Sequence, residues 1–240
     1  MRTGERGRPS RGDVRAVVVD IDGTLTDGTR RMSLEAVAAL RLVQDSGVDV
    51  MLASGNVLPI AYAVSNYMGF RGPVIAENGG VVCHGQRVWV LGDPQRPKEA
   101  WELIRRELPG ADRLFTDRWR ETEVGLKQGV DPGLVRELLR PMKVEVQTTG
   151  WAVHIMSEGM DKLVGVRKAC ELLGLGLDRV AAIGDSENDI RMIRGCGWGV
   201  AIGNADDRTK AAASFVAEGM NGPGVVEALG WLQVLPGARD

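Results

Sequence analysis

Residues Val17 to Leu25 read VVVDIDGTL, a β-branched run that breaks off on two aspartates. The run starts at Val14 and predicts a short buried strand. Asp20 and Asp22 stand two apart at its carboxyl end, and Gly23 permits a tight turn that a side chain would obstruct. A bare D-x-D reads more simply as an Asp-rich turn that caps the next segment. Directly after such a strand the pair can divide labour instead. Asp20 would point at a substrate and attack as a nucleophile; Asp22 would be offset to donate and accept a proton. Carboxylate nucleophiles that form an aspartyl-phosphate work in this way.

Outward from this stretch the rhythm is strand, loop, helix. Ser33 opens an apolar pattern at Leu34, Val37, Leu40 and Val43, and Gly47 closes it, the signature of a capped helix. Val48 to Ala53 predicts a second strand, Pro59 to Gly69 a second helix, and Val74 to Ala76 a third strand. Near Val81 the rhythm changes. Val81 to Leu91 predicts a hairpin with His84-Gly85 near its turn. A helix over Pro97 to Leu108 comes next, then a strand over Glu123 to Lys127 and a helix over Asp131 to Arg140. Two strands, Val144 to Thr148 and Trp151 to Met156, turn at Gly150. This strand-rich segment holds Trp89, Trp101, Trp119 and Trp151, which are expected to form its small core. After Ser157 the first rhythm resumes, with strands at Val180 to Ile183, Trp198 to Ile202 and Phe215 to Ala217 between helices, the last running through Leu232. The prediction is an α/β core with a Rossmann-like parallel sheet, residues 14–82 and 158–240, interrupted by a small α+β module at 83–157.

The composition agrees. The chain has 240 residues, 44% hydrophobic and 26% charged, with a formal net charge of −2. That excludes a disordered chain, a coiled coil and a fibre, and argues against a dedicated nucleic-acid binder, which carries a basic domain. Cys83, Cys170 and Cys196 form no C-x-x-C pair, so neither a disulfide framework nor a zinc site is drawn from them, which suits a cytoplasmic protein. Residues 1–13 carry four arginines without an apolar stretch and read as a disordered tail. No stretch approaches the ~18 apolar residues of a spanning helix.

Ligands of open α/β sheets bind beyond the carboxyl ends of the strands, so polar residues just after core strands converge on one crevice. Ser54, Gly55 and Asn56 end the second strand and would offer a hydroxyl and amides to an anion, or serve as ordinary loop and cap chemistry. Lys162 enters a helix at its positive end, where a cation is disfavoured and Asp161 is the expected cap. It is either solvated or neutralises a phosphate and the attacking carboxylate. Gly184 to Asp189, GDSEND, brings Asp185, Asn188 and Asp189 to the same edge. Asp185 alone could cap the next helix. Together with Asp20 and Asp22, however, these carboxylates would repel strongly in a dry crevice without a cation. Oxygen-only ligands beside a phosphate point to Mg2+.

The ordered set DxDGTL, SGN, K and GDxxND resembles the haloacid dehalogenase superfamily of phosphohydrolases, and the resemblance runs from Val14 to Leu232. The inserted module is similar to that superfamily's C2-type cap, which places the chain near the Cof-like phosphatases. Cap size, length and the closing run GWGVAIGNADDRTKAAASFVAEGMNGPGV resemble the archaeal-type phosphoglycolate phosphatases. The resemblance implies that Asp20 attacks phosphorus and that Asp22 protonates the leaving alcohol and then activates water. It implies Mg2+ on the Asp20 carboxylate, the Asp22 backbone carbonyl and Asp185, with Asp189 ligating directly or holding the ion's waters. Ser54, Gly55 and Lys162 would bind phosphoryl oxygens, and Asn56 and Asn188 would orient neighbours.

The expected reaction is hydrolysis of a small phosphomonoester, 2-phosphoglycolate first, by a monomer or homodimer with no nucleic-acid or membrane partner. A cation for the substrate carboxylate is expected from the insertion, with Arg118, Arg120, Lys127 and His154 as candidates. The alternatives are a Cof-like sugar phosphatase, a phosphomutase on the same core, or a regulatory module that kept the fold without catalysis.

Overall fold

The computed structural model describes residues 7–149 and 151–237. The described chain has eleven strands and eight α-helices. The central sheet has eight strands in the order β11-β10-β9-β1-β2-β3-β4-β5. β1 (Ala16–Asp20) lies at its middle, paired in parallel with β2 (Asp49–Ala53) on one side and β9 (Val180–Gly184) on the other. With strands on both edges and helices on both faces, all five of its residues are buried. This explains the near-continuous apolar run that precedes Asp20.

Strand residues alternate between the two faces of the sheet. Val17 and Val19 pack with Val37, Leu40 and Val43 of α1 (Leu34–Asp45), Ala61 of α2 (Leu58–Met68) and Leu229 of α8 (Asn221–Trp231). Ala16 and Val18 face the other way, against Val166 and Ala169 of α5 (Lys162–Leu173) and Met192 of α6 (Ile190–Gly195). The helices are capped largely as predicted. Ser33 accepts from the Ala36 amide at the start of α1, and Asp161 accepts from Val164 at the start of α5. α2 ends on Gly69 at φ 78°.

β10 (Trp198–Ala201), β11 (Phe215–Val216) and the short α7 (Asp207–Lys210) complete the parallel half beyond β9. At the other edge the chain differs from its sequence-based partition. β3 (Val74–Ala76) turns through a 3-10 turn at Glu77–Gly79 into β4 (Val81–His84), which pairs with it antiparallel, Ala76 opposite Val81. β5 (Arg87–Val90) adds the edge strand. The hairpin therefore extends the central sheet, although residue 83 was expected to open the inserted module.

The second sheet, β6-β8-β7, is antiparallel: β6 (Glu123–Lys127), β8 (Ala152–Ser157) and β7 (Val144–Thr148). Its core joins Ala100 and Ile104 of α3 (Gln95–Glu107) to Val135 and Leu139 of α4 (Pro132–Leu139), with Val124, Leu126, Val153 and Ile155 of the strands. Tryptophan does not supply it. Trp101 packs at its margin, Trp119 is 45% exposed, and Trp89 lies on β5 of the central sheet. The turn expected at Gly150 lies outside the described residues, as do residues 1–6 of the expected tail. Residues 7–13 are not loose: Pro9 is buried, Arg8 donates to the carbonyls of Gly230 and Trp231, and Arg179 donates to that of Gly12. Among the described residues no helix is long and apolar enough to cross a membrane, and the three cysteines are free and buried.

Candidate active site

β1, β2 and β9 all end at the same edge of the central sheet, under the face of the small sheet. A cleft of about 570 Å³ opens there. Asp20, Asp22, Gly55, Asn56 and Asp185 line it from below, and Arg120, Trp151 and His154 line it from above.

The turn after β1 is a single wide turn, Ile21–Leu25. It needs Gly23, which has φ 90°, and a Cβ there would stand 2.5 Å from Asp185 Oδ2. Two asparagines tie the turn down. Asn204 and Asn221 both donate to the Gly23 carbonyl, at 2.9 and 2.6 Å. Thr24 Oγ1 donates to Asp185 Oδ1 at 2.9 Å, so the first and last acidic loops are fastened to each other.

Lys162, the cation that sat poorly at its helix start, is fully buried. Its Nζ donates to Asp20 Oδ1 at 2.5 Å and to Asp189 Oδ1 at 2.7 Å. Burial works against its charge, but Asp189 and Asp20 outweigh that and hold its pKa above the ordinary lysine range. Asp189 is committed on both oxygens, since Oδ2 accepts from the amides of Asp185 and Ser186. Asp20 Oδ2, by contrast, is buried without a partner.

Oxygens of Asp20, Asp185 and Asp189 lie within 4.8 Å of one another. Burial, reinforced by Asp189 and Asp185 against the pull of Lys162, keeps the Asp20 carboxyl well above the usual carboxylate range. Burial and Asp189 push Asp185 up to about 7. One lysine does not neutralise two buried carboxylates and a half-buried third, and an orphaned carboxylate oxygen in an oxygen-only cluster fits a hard divalent cation. The residues present therefore suit such an ion.

Asp22 faces the cleft beside this cluster, and Asn56 donates to its Oδ2 at 2.6 Å. Ser54 is fully buried behind Gly55, and its Oγ accepts from the Asn56 amide at 3.0 Å; it does not line the cleft. Asn188 Oδ1 accepts from Ser186, and its amide donates to Asn78.

Asn78 and Glu77 carry no role in the sequence reading, though they form the polar turn after β3, at the edge where the other polar loops gather. Both have positive φ and are buried. Asn78 donates to Glu123 Oε2 on β6 at 2.9 Å. Glu77 accepts from the amides of Glu121 and Thr122 and from the Thr122 hydroxyl. These two side chains fasten the small sheet to the large one.

The four cations expected to meet a substrate carboxylate are placed differently. Arg120 lines the cleft, but its side chain is 2% exposed; it donates to the Gly55 carbonyl at 3.0 Å and pairs with Glu123 and Asp117, with its Nε left without a hydrogen-bond partner. His154 Nδ1 stands 3.1 Å from Glu123 Oε1. Burial, Arg120 and Lys162 push His154 down to about 3, so it is neutral at ordinary pH. Arg118 stacks on Phe115 and Trp119, and Lys127 pairs with Asp112 at the surface; neither lines the cleft.

Known proteins resemble this chain in sequence and in fold. A family model described as haloacid dehalogenase-like hydrolase matches residues 17–105 and 136–229. A phosphoglycolate phosphatase of Methanothermobacter thermautotrophicus is 41% identical over 222 residues, which is 91% of this chain and all of that protein. One of Archaeoglobus fulgidus is 39% identical across 92% of this chain and 98% of its own. Among solved structures, a Thermoplasma acidophilum protein superposes with a TM-score of 0.86 at 29% identity, covering 92% of this chain and 99% of that one. A haloalkanoate-superfamily phosphatase of Bacteroides thetaiotaomicron shares the fold, with a TM-score of 0.80 at 20% identity and coverage of 96% and 100%.

Proposed function

The chain belongs to the haloacid dehalogenase-like hydrolase family and is a phosphatase of it, and from that premise we propose that it hydrolyses 2-phosphoglycolate to glycolate and phosphate. One observation carries the chemistry. Asp20 has one oxygen held by Lys162 at 2.5 Å and the other, Oδ2, without a partner at the floor of the cleft. A nucleophile needs that combination of fixed orientation and a free lone pair.

Asp20 attacks phosphorus, breaking the ester bond as the aspartyl-phosphate forms. Asp22, steadied by Asn56, gives its proton to the leaving alkoxide and then takes one from the water that cleaves the acyl phosphate. Lys162 spreads positive charge across Asp20 and Asp189, where phosphoryl charge develops. Gly55 and Asn56 offer the phosphoryl oxygens a place at the end of β2, with Ser54 behind them as support.

Asp20 and Asp185, with the Asp22 carbonyl, would hold Mg2+. The committed oxygens of Asp189 suit a residue that sets Asp185 and Lys162 in place. The ion would neutralise the clustered carboxylates and the phosphoryl oxygens. We assign residues 93–157 as a cap over the cleft and the remainder, including the 81–90 hairpin, as the core. The free, buried cysteines suit a cytoplasmic setting.

The substrate reading rests on the archaeal relatives of about 40% identity, whose names state that activity. A phosphate-release screen of small phosphomonoesters, with and without Mg2+, tests it. The expected result is Mg2+-dependent release that is fastest for 2-phosphoglycolate. Faster turnover of a phosphohexose would overturn the substrate and leave Asp20 as nucleophile. Transfer of the phosphoryl group to a second site of the sugar, without release, would indicate a mutase.

A further inference from the structure

A substrate that carries a carboxylate beside its phosphate needs a second cation in the cleft, and, resting on the phosphoglycolate reading, we infer that Arg30, on the core side, is that cation. Among the described residues that line the cleft the arginines are Arg30 and Arg120. Arg120 is held by Glu123, Asp117 and the Gly55 carbonyl, and although its Nε has no hydrogen-bond partner, its side chain is only 2% exposed. His154 bears no charge to offer, and its ring nitrogen faces the Glu123 carboxylate. Lys162 belongs to the two aspartates on the reacting side. Arg30 has no carboxylate beside it in the described structure and is exposed to the cleft.

Its position is built. Asp27 Oδ1 accepts from the amides of Thr29 and Arg31 and from the Thr29 hydroxyl, and Arg30 itself donates through its amide to the Asp27 carbonyl. The turn leaves Arg30 at φ 65°. Its guanidinium then lies over the Trp151 ring, 4.4 Å from the centroid. Trp151 comes from the small sheet side and Arg30 from the loop after β1, so the pair bridges the mouth of the cleft. Stacking occupies the flat face of the guanidinium and leaves its N–H edge for a planar acceptor. A carboxylate matches that edge with two parallel hydrogen bonds. Phosphate held at Asp20 and carboxylate held at Arg30 would fix both ends of a short molecule and set the ester bond between them.

The test compares kcat/KM for 2-phosphoglycolate with that for ethyl phosphate, which has the same ester and lacks the carboxylate. In the wild type the ratio is expected to favour 2-phosphoglycolate strongly. In Arg30→Met that ratio should fall about 10- to 100-fold, chiefly through KM, and Arg30→Lys should recover part of it. A strong wild-type preference that survives Arg30→Met overturns the role of Arg30 alone. Equal losses on both esters also overturn it and make the Arg30–Trp151 contact a latch between sheet and cap. A wild-type ratio near one removes the carboxylate altogether, and with it both the substrate reading and this inference.

Discussion

Lys162 Nζ stands 2.5 Å from Asp20 Oδ1 at the floor of the cleft, with the lysine itself fully buried. The contact spans 142 positions of sequence and joins the start of α5 to the end of β1. It makes sense of a cation at the positive end of a helix. The local cost there is a few tenths of a kcal/mol up to ~1, and the pairing with two carboxylates exceeds it.

Removing that lysine isolates two buried charges. Lys162→Met is expected to lower stability by about 3–5 kcal/mol in the metal-free protein, since breaking a buried pair strands its partners. Thermal melts check this. Mg2+ should restore more of the loss in the variant than it adds to the wild type, and a variant that melts like the wild type would refute the pairing as drawn.

Asp20→Asn keeps the shape and removes the nucleophile. Steady-state phosphate release should fall about 10³-fold or more with the fold intact by circular dichroism. Quenched-flow trapping with labelled substrate should show a phosphoryl-enzyme in the wild type and none in the variant. Unchanged turnover would dismiss Asp20 as the attacking group.

The acidic cluster gives the metal-free protein a defined pH response. Asp185 titrates at about 7 in the fold against an ordinary 3.8, and Asp20 is raised in the same direction, both first by burial. A carboxyl raised in the folded state binds its proton more tightly there than in the unfolded chain. Stability therefore falls as pH rises from about 4 to about 7, and stays reduced above. Mg2+ takes the proton's place, so its stabilising effect should be small at pH 5 and large at pH 8. Scanning calorimetry at the two values measures it, and a shift of equal size at both would count against a shared site.

Glu77 offers a test of how the two sheets are joined. Its carboxylate accepts from three donor groups on Glu121 and Thr122, and it is fully buried. Glu77→Ala leaves those donors unpaired at about 1–3 kcal/mol for each group that water does not reach. The melting temperature should drop, and limited proteolysis should cut first between residues 93 and 157. Glu77→Gln retains one acceptor and should fall between. Identical proteolysis of Glu77→Ala and wild type would show that the clasp is unimportant.

Much of the fold was legible because its cues are local. Glu123–Lys127 and Val144–Thr148 are strands over the predicted residues, and Ser33 and Asp161 cap helices where a cap was expected. The hairpin at 81–90 was legible as a hairpin, but not its allegiance. The pairing of Ala76 with Val81 across the turn at Glu77 places it in the central sheet. The tryptophans misled for a related reason: aromatic content says that a side chain has area to bury, not which surface will cover it.

The sequence by itself determined the parallel core, the order of the acidic loops and the odd position of Lys162, because strand alternation and helix capping act between near neighbours. Only the tertiary structure decided which charges are spent. Arg120 and Arg30 look alike in a sequence, yet one is locked beneath Glu123 and Gly55 while the other faces the cleft over Trp151. Asp189 and Asp20 look alike too, yet only Asp20 keeps a buried oxygen free. Charge commitment depends on distances between segments far apart in the chain, and those are fixed only once the sheet has brought its loops to a common edge.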